Sequence, residues 1–200
     1  MSRGEPPERA LDVAAIGGLP LVSHDHLCVL YRGRVERDAL LIPFLSEGIG
    51  AGHTCLAIMP EDHHDGLRAA LADGVEAPRL QLVGPRDTYL RTGRLQRDPM
   101  LEFCAAWSRE QFDEHDCVFA RAVADMSWAL DPAPPVSELV RFELGVTRWT
   151  RAFEQISVCM YDLDRFGGGV VVPVIRAHPR VWLSGLVIEN PYHLEAVSGA

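Results

Sequence analysis

Along the chain, short apolar runs alternate with longer segments whose apolar residues recur every three or four positions. The runs at 26–31 (HLCVLY), 54–59 (TCLAIM), 79–83 (RLQLV), 117–123 (CVFARAV), 156–162 (ISVCMYD) and 181–188 (VWLSGLVI) are rich in β-branched and aromatic residues. Hydrophobicity in most of them is continuous, not alternating, which predicts strands buried on both faces. The segments 35–50, 98–115 and 137–153 carry helical stripes. The first is Leu41, Phe44, Leu45 and Ile49; the second Leu101, Cys104, Ala105, Ser108 and Phe112; the third Leu139, Phe142, Val146, Trp149 and Phe153. Pro134 and Pro135 stand just before the third, where proline is tolerated. Strands alternating with helices predict an α/β fold: a mostly parallel sheet, covered by helices on both faces. Ligands in such folds bind beyond the carboxyl ends of the strands, so residues just after each strand are the first candidates.

The chain has 200 residues, which suits one domain with a sizeable core. Residues 1–22 are rich in Pro, Gly and charge and predict a flexible arm; 195–200 read as a tail. A single domain over 23–194 remains.

A net charge of −9 argues against a direct grip on nucleic acid, which depends on cations neutralising phosphates. The densest basic run, Arg86, Arg91, Arg94 and Arg97, reads as a solvated loop. All 19 basic residues are Arg. A Walker A loop and Schiff-base catalysis both need a lysine, so both are excluded. Five cysteines at wide spacing, with no CxxC pair, fit buried thiols in a reducing compartment. No secretory signal and no run of about eighteen apolar residues is present, so the expected setting is cytoplasmic, without a membrane span.

Four clusters carry candidate chemistry. In HDHLCVLY, His26 and Cys28 are two apart and share a strand face. Imidazole with thiolate suits zinc or a softer metal, with His24, Cys159 or His178 as further ligands. The plainer reading of the pair is a partly buried histidine beside an inert core thiol, with a pocket role next and a metal site after it. A Cys/His nucleophile is disfavoured by their spacing along the strand. In VADMSW, Asp125 follows a strand and can cap the next turn; Trp128 can line a pocket or cover the sheet edge. In CMYDLDRF, Asp162, Asp164 and Arg165 read as a surface ion pair at a turn. In VIENPYHL, Asn-Pro ends a strand, and Tyr192 is expected to pack the C-terminal segment back, with a ligand-facing role standing equally beside that structural one. His63 and His64, after Glu61 and Asp62, read as a solvated helix start.

Taken in order, HLCVLY, DTYL (87–90), DMSWAL (125–130), CMYDLDRF (159–166), HP (178–179) and ENPY (189–192) resemble the MEDS family, the sensory domain of methanogens, methylotrophs and DcmR-type regulators. The resemblance implies a sensor of small hydrocarbon derivatives in transcription or signalling control. It also implies a RecA/KaiC-like sheet without a functional Walker A loop. The family's His-x-Cys signature falls on His26 and Cys28, and its aromatic and acidic positions on Tyr31, Asp125, Trp128, Cys159, Tyr161 and Asp162. These eight are the expected ligand-binding residues, with no catalytic set and no enzyme activity. About 22 residues before the domain are too few for a helix-turn-helix unit, so output is expected through a protein partner, with room for a homodimer. Two other readings stand beside this one. One is a metal- or haem-responsive regulator using His26 and Cys28; the other is a non-hydrolysing nucleotide-binding remnant acting as a scaffold. The cofactor, if any, is not specified by these residues.

Overall fold

The computed structural model describes residues 12–71 and 79–194. In chain order the first elements are β1 (Asp12–Ile16), β2 (Leu19–Val22), β3 (His26–Tyr31), α1 (Gly33–Gly50), β4 (Thr54–Ile58), α2 (His64–Leu71) and β5 (Leu80–Val83). They are followed by α3 (Arg97–Glu114), β6 (Ala120–Asp125), α4 (Val136–Arg151), β7 (Gln155–Asp162), α5 (Gly168–Ala177), β8 (Arg180–Leu183) and β9 (Leu186–Glu189).

The continuous apolar runs become the inner strands of a seven-stranded sheet, ordered β5-β4-β6-β7-β3-β8-β9. Every neighbouring pair is parallel except β8 with β9. The fold is therefore α/β with a mostly parallel sheet. β3, β6 and β7 are buried at every position, as central strands of a parallel sheet are, and β6 and β7 carry buried polar residues such as Arg121, Asp125 and Ser157 among the apolar ones. Alternate strand residues feed two cores. Cys28, Leu30, Leu56, Ile58, Cys159 and Tyr161 pack with α3, α4 and α5. Leu27, Val29, Tyr31, Cys55, Ala57 and Met160 pack with α1, α2 and the β1–β2 hairpin. α3 and α4 lie close because position 145 is glycine: a Cβ there would meet Leu101 Cδ1 at 2.3 Å.

Several expectations are corrected. Residues 12–22 were expected in the arm, but they form an antiparallel hairpin with Ile16 and Leu21 buried. The Gly17-Gly18 pair that interrupts the apolar run is its turn, with φ of 56° and 77°, a conformation glycine adopts freely. Arg121, fully buried on β6, donates to Val13 O, Phe44 O (2.7 Å) and His53 Nδ1 (3.0 Å), tying hairpin and α1 to the sheet. The run 117–123 is displaced: the strand is Ala120–Asp125, which makes Asp125 its last residue. The run 181–188 is two strands, turned at Ser184 and Gly185, both with positive φ. α5 was not predicted, because three glycines, a valine run and Pro173 all argue against a helix. Tyr192 is 80% exposed and packs nothing back. Asn190 does that work, donating to Ile175 O (2.8 Å) and His178 O (3.0 Å).

Candidate functional site

The polar centre of the molecule lies between the sheet and helices α4 and α5. β3 starts at His26, whose side chain falls on the α4 side with Cys28 and Leu30. The β3–β7 register sets His26 beside Ser157 and Cys28 beside Cys159. Glu143 reaches in from α4. His178 arrives just after α5: it precedes Pro179, which disfavours helical backbone there, and it is extended at φ −112°, ψ 133°. His26, Glu143, Cys159 and His178 are all buried, with one donor atom from each lying within 4.8 Å of the others.

The contacts converge on one carboxyl oxygen. Glu143 Oε2 is 3.4 Å from His26 Nε2 and 3.4 Å from His178 Nε2. The Cys159 thiol points at it from 3.3 Å and lies 3.4 Å from His26 Nε2. The other oxygen, Oε1, accepts from the Tyr161 hydroxyl. The outer ring nitrogens are held from behind. His178 Nδ1 donates to Val174 O (2.7 Å), one of the open carbonyls at the end of α5. His26 Nδ1 meets Thr147 Oγ1 (2.8 Å), whose own hydroxyl donates to Glu143 O (3.3 Å).

Burial sets the electrostatics. It pushes the His26 imidazole down to about 4, helped by the charge of His178. For Glu143, burial alone would raise the carboxyl, but the two imidazoles, His178 first, outweigh it and hold it well below the usual range. Burial, then the Glu143 charge, pushes the Cys28 and Cys159 thiols and the Tyr161 phenol well above their ordinary values. With both thiols protonated, a thiolate nucleophile has no basis in this arrangement. All five cysteines are free and buried.

The eight expected ligand residues do not share one pocket. His26, Cys159 and Tyr161 meet at Glu143; Cys28 lies two residues along β3 from His26 on the same face, beside Cys159, and it is Cys159 that His26 touches. His24 turns away, toward Thr150 O and Glu154. This centre lies under two helices, not beyond the carboxyl ends of the strands, because a fully covered sheet face can hold polar groups only if they satisfy each other. A second set does lie at those ends. Asp125 caps the next turn as expected, accepting from Ser127 N (2.9 Å), and its other oxygen accepts from Arg37 Nη1 (2.9 Å). Tyr31 approaches the same carboxylate at 3.4 Å, and His63 bonds Arg37 at 2.9 Å. Asp162 accepts from Gly33 N (3.2 Å) at the start of α1. Asp164 pairs with Arg32 at 2.8 Å, not with Arg165 as expected.

Trp128 stacks on Tyr89 with centroids 4.3 Å apart, and both meet Phe142 edge-on. Tyr89 also lines a small apolar cavity of about 20 Å³ with Cys104, Phe142, Val146, Trp149 and Cys159. On its other side Tyr89 faces an outer pocket of about 240 Å³ with Arg91, Arg94, Met100 and Phe103. Cys159 is thus shared between the polar centre and the cavity.

Sequence reasoning missed Glu143 and Tyr89. A signal existed for the first: Glu143, Thr147 and Thr150 follow at steps of four and three, one residue beside the apolar stripe, and all three are buried. Nothing in the sequence marked Tyr89 as the partner of Trp128.

The structure thus sets a buried polar centre of His26, Glu143, Cys159 and His178 beside a small apolar cavity, on one face of a mostly parallel α/β sheet. The model of the MEDS family, the methanogen/methylotroph DcmR sensory domain, matches residues 25–179, and the chain belongs to this family. It is also similar to the transcriptional repressor DcmR of Methylorubrum extorquens, 27% identical over 176 residues. That match covers 82% of this chain and 61% of the repressor.

Proposed function

We propose that the chain is the sensing part of a cytoplasmic regulator and is not an enzyme. It binds a small apolar organic molecule in the cavity between the sheet and helices α3 and α4. The observation that carries this reading is the apolar cavity lined by Tyr89, Cys104, Phe142, Val146, Trp149 and Cys159 inside a member of a sensory family. At about 20 Å³ it holds little more than one water-sized molecule as it stands. A larger guest opens it, and the way out runs past Tyr89 into the outer pocket. Opening disturbs the Tyr89–Trp128 stack and the segment around it. That gives the ligand unequal affinity for two states, which any ligand-driven signal requires. Output then passes to a protein partner or a second copy. In this reading residues 23–194 are one sensory unit on a RecA/KaiC-like sheet with helices on both faces and no working phosphate loop. The opposite sidedness of the two cores supports that view.

The test is thermal denaturation across a panel of short-chain organics, with the variant Val146→Leu beside wild type. A binding guest raises the melting temperature by mass action. Val146→Leu adds one methylene to the cavity and is expected to abolish the shift while leaving the unliganded melt within a few degrees. A panel without any shift, or a shift that survives this variant, removes the cavity from the reading.

The nucleotide-remnant reading finds less support. The start of α1, where a phosphate would rest, already has Asp162 on Gly33 N and Glu36 on Arg32 N (2.6 Å). Carboxylates at that helix end occupy the donors and repel a phosphate. Saturable binding in an ATP titration would reverse this argument.

A further inference from the structure

We infer that His26, His178, Glu143 and Cys159 form a tetrahedral site for a divalent cation of the zinc type. Orientation is the first ground. The outer nitrogens of both imidazoles are committed: His178 Nδ1 to a carbonyl, which can only accept, and His26 Nδ1 to a hydroxyl whose proton goes to Glu143 O. With the outer nitrogens so held, each ring has Nε2 facing the Glu143 carboxyl, where a proton sits in the metal-free protein and the lone pair would go to a bound cation once that proton leaves. Backing of this kind from neighbouring residues is how metal-bound histidines are fixed. His178 Nε2 is fully buried and has no hydrogen-bond partner.

Spacing is the second ground. Four separations around Glu143 Oε2 and His26 Nε2 are 3.4, 3.4, 3.4 and 3.3 Å. Charge-assisted hydrogen bonds are tighter, about 2.7–2.9 Å. A tetrahedron with metal bonds of about 2.0–2.3 Å has edges of about 3.3–3.7 Å; four of the six edges fall in that range, and all donor atoms lie within 4.8 Å of one another.

Charge is the third. A buried carboxylate needs compensating positive charge, which a metal ion would supply in place of an imidazole proton. On binding, the Cys159 S–H bond breaks, its proton leaves to solvent, and sulfur takes the metal. The dication then balances one carboxylate and one thiolate, with two neutral imidazoles completing the shell. The Tyr161 hydroxyl on Oε1 leaves only Oε2 for the metal. Two nitrogens, one oxygen and one sulfur suit zinc, or cobalt as its stand-in.

Because the site is buried, the metal is added before folding: the urea-unfolded chain is refolded with Zn²⁺ or Co²⁺ and passed over a chelator column. One retained equivalent per chain is expected, with a thiolate-to-cobalt charge-transfer band in the Co²⁺ form. Cys159→Ser is expected to lose that band and His178→Ala to lose retained metal, while Cys28→Ser and Cys104→Ser keep both. X-ray absorption of the wild-type zinc protein needs no variant that folds, and should give one sulfur with the remaining ligands nitrogen or oxygen. Natively melting protein that retains only traces of metal, a band that survives Cys159→Ser, or a second sulfur neighbour overturns the site. The inference does not rest on the sensory reading. Metal-free protein that still binds a small organic sinks the metal site alone.

Discussion

The Glu143 carboxyl and the His26 ring are both without solvent contact, so the cost of protonating this centre falls on folding. His26 is held down to about 4 from its ordinary 6.5, first by burial and then by the charge of His178. Between those values the unfolded chain binds a proton that the metal-free folded chain refuses. Stability is therefore complete above the ordinary value and is lost as pH falls toward the lowered one. A loss of about 2 kcal/mol between pH 7 and pH 5 is expected from this group. Urea midpoints at the two pH values check it, and His26→Gln should flatten the difference; a wild-type midpoint that does not move would count against a neutral buried His26. Arg37 and Asp125 form a second buried pair, at 2.9 Å with side chains 4% and 2% exposed. Arg37→Ala strands the Asp125 charge and is expected to destabilise by roughly 3–5 kcal/mol in chemical denaturation. A loss under about 1 kcal/mol would mean that water or another group takes the place of the guanidinium.

At the level of elements, α4 does two jobs with two adjacent faces. Leu139, Phe142 and Val146 fill the core, while Glu143, Thr147 and Thr150 supply the polar contacts. Both faces depend on how closely α3 approaches. Gly145→Ala would put a methyl carbon 2.3 Å from Leu101 Cδ1, so either Leu101 changes rotamer or the helices separate. The expected cost is about 1–3 kcal/mol, visible as a lower melting temperature. Gly145→Ala with Leu101→Ala should recover part of it, by relieving the clash. Failure of that rescue would show that the closeness of α3 is not what glycine provides here. The helix stripes of α1, α3 and α4 were legible because helices of 16–18 residues repeat their pattern over several turns. α2 has 8 residues, too few for periodicity to speak, and α5 carries Gly, Val and Pro that favour other states.

Across the whole molecule, the acidic charge disfavours a direct grip on nucleic acid phosphates. With a net charge of −9 the chain is expected to show no saturable DNA binding in fluorescence anisotropy at about 150 mM salt. Tight, salt-resistant binding would contradict that. No described helix is long and apolar enough to cross a membrane. Leu186 and Ile188 on the edge strand β9 are 63% and 47% exposed, an edge that can accept a partner strand.

The sequence by itself determined the class of fold and most of its strands and long helices. Those follow from local periodicity and from runs too apolar to face water, both written residue by residue. It also determined what chemistry was missing, since a lysine that is absent cannot be supplied by folding. It marked His26, Cys159 and His178 as available ligands, though not as neighbours. Only the tertiary structure decided that they meet at Glu143, 117 positions after His26 in number (143 − 26) but 3.4 Å away in space. Parallel pairing of β3 with β7 sets His26 and Cys159 close, α4 lowers Glu143 onto them, and the end of α5 at Pro179 turns His178 inward. Each of those steps joins segments distant in the chain, and no local pattern encodes such a meeting. Tyr31, Asp125 and Asp162 look equivalent to the others in sequence, but strand ends and strand middles lie in different parts of the molecule.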